Sequence, residues 1–489
     1  MKRDRWPSRT LFIFAAVGSS VGLGNIWRFP FLVGKYGGGA FLLPYLILML
    51  AFGLPLLILE FSLGQKMQFG PIKALEKINK RFSGVGLSAV LCSFGVSCYY
   101  AVILAWTILY MFYSLTLAWG DSTKTFFYNE VINISASPSE IGDINTPVIA
   151  ALIACWVMVY FCIWKGVESV STIVKVTMPL PIALLVILLI RTASLPGALS
   201  GLEYFLKPDF QALLDTDVWM AAVSQVFFSL TLGFGVMIAY GSYRKTTADI
   251  VKSAAITALA DVSVALLSGF VVFTTLGYMS QSSSLPIQEL AASGPSLAFI
   301  VFPQALSMVP GAPLFAFLFF LALLTLGIDS LFSLVEALAS VCHDRWPFMR
   351  KQDLVLYLCV GCFIGGFTFT TAGGLYYLDI TDHFITSYGL VAVSLMEAIA
   401  VGWFYGARRM QVWINQVSDW SIGSWWNASI RYFGPVVLFL LLITSLYSDV
   451  VNGYGGYSFW ALLLWGWGAV AAVLGLGIIK TWSVPGSNR

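Results

Sequence analysis

Carboxylates and amides inside apolar sequence are the first candidates for chemistry, and this chain has few. Asn25, Asp261 and the pair Asp329-Ser330 sit deep within long apolar runs. An ionised carboxylate in such surroundings needs a cation, and neither aspartate has a Lys or Arg close by in sequence. Cation coordination is the reading for both. Asn25 taken alone fits an interhelical hydrogen bond fairly well. Enzyme chemistry finds little support: the two histidines, His343 and His383, fall at the edges of apolar runs without ligand spacing. Cys359 and Cys362 have CxxC spacing but no second pair to complete a zinc or redox site.

The backbone around these residues is equally informative. One apolar run reads Gly18-Ser-Ser-Val-Gly22-Leu-Gly24-Asn25, another Phe228-Ser-Leu-Thr231-Leu-Gly233-Phe-Gly235. Glycine clusters allow close helix packing, but two clusters in matching spans, each beside polar side chains, point to paired breaks near a membrane midplane. A break at the first leaves amides free around Leu23 and Gly24, where an anion is favoured. It also frees carbonyls from Gly18 to Val21 and from Phe228 to Thr231, which suit sodium or an ammonium group. One pocket with an anionic and a cationic corner fits a zwitterion.

The elements that must hold this pocket follow from composition. The 489 residues are 58% hydrophobic and 10% charged, with a mean hydropathy of +0.84. Soluble domains carry about a quarter charged residues, so a soluble enzyme is excluded. A net charge of +3 is too small and too scattered for a nucleic-acid partner. Twelve apolar runs, near 11–34, 39–64, 86–119, 148–164, 168–190, 217–240, 253–279, 311–341, 354–371, 375–405, 432–448 and 457–480, are each read as a helix crossing a bilayer core of ~30 Å. Placing the N-terminus inside puts 21 of the 27 Lys and Arg residues on that side, five outside and Lys175 within a span. By the positive-inside rule both termini are cytoplasmic. The expected fold is an all-α polytopic membrane protein with one transmembrane domain over 1–489: a cytoplasmic segment 1–10, a core 11–405, and helices 11 and 12 with the tail over 406–489. Ala298 to Leu306, too short to span, reads as a re-entrant or capping hairpin.

The segment Gly18 to Pro30, with Gly37-Gly-Gly-Ala-Phe41, Pro44-Tyr45, Tyr99-Tyr100, Trp106, Gln225-Val-Phe-Phe228-Ser229, Tyr240-Gly-Ser-Tyr243, Gly327-Ile-Asp329-Ser330 and Asp379-Ile-Thr-Asp382, resembles the signature of the neurotransmitter:sodium symporter family. The resemblance covers runs 1–10; runs 11 and 12 carry no motif. It implies an inverted 5+5 repeat, helices 1–5 and 6–10 with helices 1 and 6 broken, plus two C-terminal helices. It also implies a plasma (inner) membrane location, a monomer or homodimer, and two sodium sites. The first would use the Ser20 carbonyl, Asn25, Ser229, Asp261 and the substrate carboxylate. The second would use the carbonyls of Gly18, Val21 and Leu326 with Asp329 and Ser330. The substrate carboxylate would meet the Leu23 and Gly24 amides and the Tyr100 hydroxyl. Its ammonium would meet carbonyls of Ser20, Phe228 and Ser229 and the Thr231 hydroxyl. Val96, Tyr100, Phe228, Phe234, Ser330 and Leu334 would line the side-chain pocket, with Phe228 as a lid. Arg28 and Asp382 match the outer gate, a pair bridged directly or through water. Arg3, Ser242, Tyr243 and Asp344 match the inner gate, with Trp6 packed against the bundle.

Departures from the pattern narrow the cargo. Gly22 stands where monoamine carriers of the family have aspartate, so a substrate bringing its own carboxylate is expected. A neutral α-amino acid is the first expectation; a β- or γ-amino acid such as taurine or GABA is the second. A receptor that binds amino acids without moving them is the alternative of another class. Asp261 and Ala265 replace an asparagine and a serine of chloride-dependent members, while Tyr45, Gln225 and Ser229 remain. A fixed negative charge near two sodium ions offsets their repulsion as chloride would, so chloride-independent transport is expected.

Overall fold

A computed structural model describes residues 4–283, 285–290 and 294–482. The principal helices are α1 (Arg9–Ser20), α2 (Leu23–Lys35), α3 (Gly39–Met67), α4 (Lys80–Tyr113), α5 (Thr146–Ile163) and α6 (Val167–Ala193). They continue with α7 (Thr216–Ser229) and α8 (Val236–Ser242), then α9 (Val251–Ser283), α10 (Ala312–Arg345), α11 (Lys351–Thr370), α12 (Gly374–Val417), α13 (Ser424–Asn452) and α14 (Phe459–Thr481). Among the described residues there is no strand, only isolated bridges joining Gly38 to Pro208 and Ile144 to Thr371.

Ten of these helices are long and apolar enough to cross a membrane, and the bent pair α1–α2 makes an eleventh. The sixth apolar run falls short of that test because its helix is divided into α7, 14 residues, and α8, seven residues. The expected twelve spans thus stand at eleven plus this divided segment. Helix α4 covers 80–113 rather than 86–119 because the chain turns after Tyr113, with Leu117 (φ 51°) and Gly120 (φ 54°) left-handed. The stretch expected as a hairpin is a short helix, Leu297–Ser307, whose Phe299 carbonyl accepts from Tyr110 of α4 at 2.9 Å.

Burial separates centre from rim. In the most apolar stretch of α4, 72% of residues are buried, and 67% in α10, against 17% in α13 and 22% in α14. Side chains such as Leu440, Tyr447 and Leu464 on the last two helices are exposed, as lipid contact requires. The central helices hold the polar residues singled out above.

Both expected breaks are present. Helix α1 stops at Ser20; Val21 (φ −81°, ψ 105°) and Gly22 (φ −132°, ψ −165°) are extended, and α2 leaves at 62° to α1. Between α7 and α8, Thr231 (φ 54°), Gly233 (φ 79°) and Gly235 (φ 74°) are left-handed. Such backbone survives at membrane depth only where protein satisfies its polar groups. Here the Gly233 amide donates to Glu60 of α3 at 2.8 Å, and the Phe234 carbonyl accepts from Ser93 of α4 at 2.7 Å.

Candidate ion and substrate site between the broken helices

The two breaks meet. Thr231, left-handed despite its branched Cβ, donates its hydroxyl to the Ser19 carbonyl at 2.9 Å. The donation leaves the Thr231 oxygen its lone pairs, able to accept from a substrate ammonium.

On one side of the junction Asn25, Ser229 and Asp261 form a buried cluster. Asn25 Nδ2 donates to Asp261 Oδ1 at 2.9 Å and to Ser229 Oγ at 3.2 Å. Ser229 Oγ lies 2.8 and 2.7 Å from the two Asp261 oxygens. The Gly22 amide donates to Asn25 Oδ1 at 3.1 Å, leaving that oxygen one lone pair. Three chain-distant residues expected to share a cation are thus in contact. Ser20 Oγ and both polar atoms of the Gln225 side chain are also buried without a hydrogen-bond partner.

On the other side α10 presses against α1. A Cβ built on Gly18 would lie 2.6 Å from Asp329 Oδ2, so only glycine admits the carboxylate this close. Asp329 Oδ1 is buried with no hydrogen-bond partner. Ser330 Oγ lies 3.5, 3.3 and 3.4 Å from the carbonyls of Gly18, Ser19 and Leu326. An orphaned carboxylate oxygen beside converging carbonyls is the donor set a hard cation takes. Val21 sits at the break itself.

The substrate corner is assembled around α2. The Leu23 amide donates to Tyr100 OH at 3.4 Å. A Cβ on Gly22 would meet Ser330 Oγ at 2.8 Å and Tyr100 OH at 3.4 Å. The Phe228 ring faces Gly24, 3.6 Å from where its Cβ would stand, and meets Phe234 edge-on at 6.5 Å. Val96, four residues before Tyr100, and Leu334, four after Ser330, are buried on the flanking helices.

At the α2 end Arg28 and Asp382 make no direct ion pair. The Arg28 guanidinium donates to Ser224 Oγ at 2.7 Å and lies 5.1 Å from the Phe228 ring centroid. Asp382 instead accepts from Tyr99 OH at 2.5 Å. At the opposite end Trp6 is buried, its ring nitrogen donating to the Tyr240 carbonyl at 3.0 Å and its amide to the Tyr243 carbonyl at 3.1 Å. Ser242 Oγ turns back to its own helix, donating to the Ala239 carbonyl at 2.5 Å. Asp344 accepts from the Gly70 amide at 2.7 Å; Arg3 lies outside the described residues. Arg244, past the end of α8, has its pKa lowered to about 10 by burial, against a raising influence of Asp249. Its carbonyl accepts from Arg5 and from Gln68 at 3.0 Å.

Comparison with known proteins supplies the family. The profile described as "Sodium:neurotransmitter symporter family" matches residues 3–126 and 120–484. The chain belongs to that family. An uncharacterized sodium-dependent transporter of Methanocaldococcus jannaschii is 38% identical over 459 residues, 94% of this chain and 93% of the relative. The sodium- and chloride-dependent GABA transporter 2 of Rattus norvegicus is 34% identical over 524 residues, covering 99% and 86%. The protein is a multi-pass, sodium-dependent transporter.

Sequence reading of this symporter missed several residues. Glu60 caps the unwound Gly233; as a carboxylate inside an apolar run it carried the same signal as Asp261. Glu336, seven residues and two turns after Asp329 on the same face, accepts from Tyr243 OH and from Lys351 Nζ, each at 2.8 Å. Lys351 also pairs with Asp4 at 3.0 Å and lies over the Tyr243 ring. This network ties the N-terminal segment, α10 and α11 together at the Trp6 end.

Proposed function

We propose that the protein is a sodium-coupled symporter of a neutral α-amino acid, working by alternating access with two sodium ions. Cytoplasmic termini put the Trp6 end inside the cell and the Arg28 end outside, in the plasma or inner membrane. The observation that carries the reading is the junction of two broken helices with a cluster of Asn25, Ser229 and Asp261 on one side and Asp329, with its unpartnered Oδ1, on the other. One sodium would sit among Ser20, Asn25, Ser229 and Asp261 and share the substrate carboxylate. The other would sit among Gly18, Val21, Leu326, Asp329 and Ser330. The residues present fit both ions: each site has a buried carboxylate beside further oxygen atoms able to coordinate a hard cation. The substrate carboxylate would insert between the Leu23 amide and Tyr100. Its side chain would rest on Phe228, Phe234, Val96 and Leu334. Binding is completed when Phe228 and the Arg28–Asp382 pair close over it.

Gly22 offers no countercharge to a lone amine, which favours a cargo with its own carboxylate. Similarity to a GABA transporter favours a γ-amino acid as the second reading. Chloride independence rests on Asp261: its charge lies beside Ser229, with Tyr45 and Gln225 forming the remainder of a chloride-type cradle. Sodium-driven accumulation of labelled amino acids in proteoliposomes separates these readings. Accumulation of a neutral α-amino acid, retained when gluconate replaces chloride, is expected; preference for GABA selects the second reading, and binding without accumulation makes the protein a receptor. Asp261→Asn should render uptake chloride-dependent, and uptake indifferent to chloride in that variant would remove Asp261 from this role.

A further inference from the structure

Helices α13 and α14 carry no transport motif and lie at the rim, yet their side chains converge on the part of α12 that bears Asp382. The next residue, His383, has Nε2 2.7 Å from Asp449 Oδ2 of α13, and Tyr388 OH donates to the same oxygen at 2.6 Å. Tyr454, between α13 and α14, stacks flat on the His383 ring, with centroids 3.7 Å apart and planes at 10°. Its hydroxyl donates to Asp379 Oδ1 at 3.2 Å, and Tyr457 donates to Asp379 Oδ2 at 2.8 Å. Asp379 and His383 are four residues apart and share a helix face. Near the start of α12, Tyr377 stacks on Trp465 of α14 at 4.3 Å. Ile380, Phe384 and Tyr388 form with Ala461 and Val470 a small apolar cluster separate from the main core.

Asp382 is therefore held by Tyr99 of α4 on one side while α12 itself is gripped from the rim on the other. Interactions made in one state of a two-state element stabilise that state. This grip is made while Arg28 and Asp382 form no direct ion pair, Arg28 donating to Ser224 and Asp382 accepting from Tyr99. We propose that His383, Asp449 and Tyr454 are positioning residues for the gate, a clamp that favours the state in which Arg28 and Asp382 are not directly paired. The proposal rests on the gate reading given above. It makes α13 and the loop to α14 part of the transport machinery, not merely a lipid-facing addition.

The test uses the full-length protein in sodium without amino acid, carrying Val96→Cys, and a charged, membrane-impermeant thiol reagent applied from the Arg28 side. Val96 is buried on α4 one turn below Tyr99, so its labelling reports passage between Arg28 and Asp382. Asp449→Ala, and independently Tyr454→Leu, should slow labelling about tenfold, the loss expected for one hydrogen bond to a charged group. His383→Gln, which restores a donor toward Asp449, should stay within about twofold of the parent rate. Unchanged or faster labelling in both clamp variants overturns the proposal, as does labelling of the buried native Cys155 in Asp449→Ala, which would signal general loosening. Arg28→Ala and Asp382→Asn tell the two readings apart. If they alter the rate while the clamp variants do not, only the clamp is wrong; if they too leave it unchanged, the gate reading falls and the clamp with it.

Discussion

At the residue scale the site depends on what is absent as much as on what is present. Gly18 and Gly22 leave room for Asp329, Ser330 and Tyr100 to approach bare backbone, and any side chain there fills space the ligands need. Gly22→Ala places a methyl 2.8 Å from Ser330 Oγ. Ser330 has a movable side chain, so folding should survive at a cost of about 1–3 kcal/mol. Substrate affinity should nevertheless fall by about tenfold or more, as read from the half-saturation of sodium-driven uptake beside a thermal melt. Asp329→Asn keeps shape and removes charge. Because Asp329 Oδ1 has no protein partner, sodium-driven uptake should drop roughly a hundredfold or more, the scale of a lost buried charge partner. Near-parental uptake in that variant would exclude Asp329 as a sodium ligand.

At the element scale, the breaks persist because distant helices satisfy them. The α7–α8 break leans on Glu60 and Ser93, and the two breaks lean on each other through Thr231 and Ser19. Glu60→Ala would leave the Gly233 amide without its acceptor inside the membrane, costing about 1–3 kcal/mol. A lower melting temperature in detergent and weakened uptake should appear together. Glu60→Gln, which retains a carbonyl acceptor, should recover most of the stability; equal losses in both variants would assign the effect to charge instead. The second broken span illustrates what element length alone conceals: α7 and α8 are each too short to cross, and only the two together, joined through 230–235, cover the sixth apolar run.

At the scale of the whole molecule, the proposed first sodium ion and the substrate share one cluster. Each should therefore tighten the other's binding by the same factor, as linkage demands. Isotherms for an accepted amino acid at several sodium concentrations, and for sodium at several amino-acid concentrations, measure both factors. Amino-acid affinity independent of sodium would disprove a shared first site. The Glu336–Lys351–Asp4–Tyr243 network ties the Trp6 end together, while Arg28 and Asp382 at the other end each bond to a different partner, Ser224 and Tyr99. Local chemistry alone determined the helical membrane class, the two breaks and the intramembrane aspartates. Apolar run length, glycine clustering and an unpaired carboxylate are each written within a few consecutive residues. Only the tertiary structure decided who partners whom: Glu60 with Gly233 across 173 positions of chain, Arg28 with Ser224 instead of Asp382, and His383 with Asp449. Hydrogen bonds between helices depend on which faces packing brings together. No spacing along one helix encodes the face its neighbour will present.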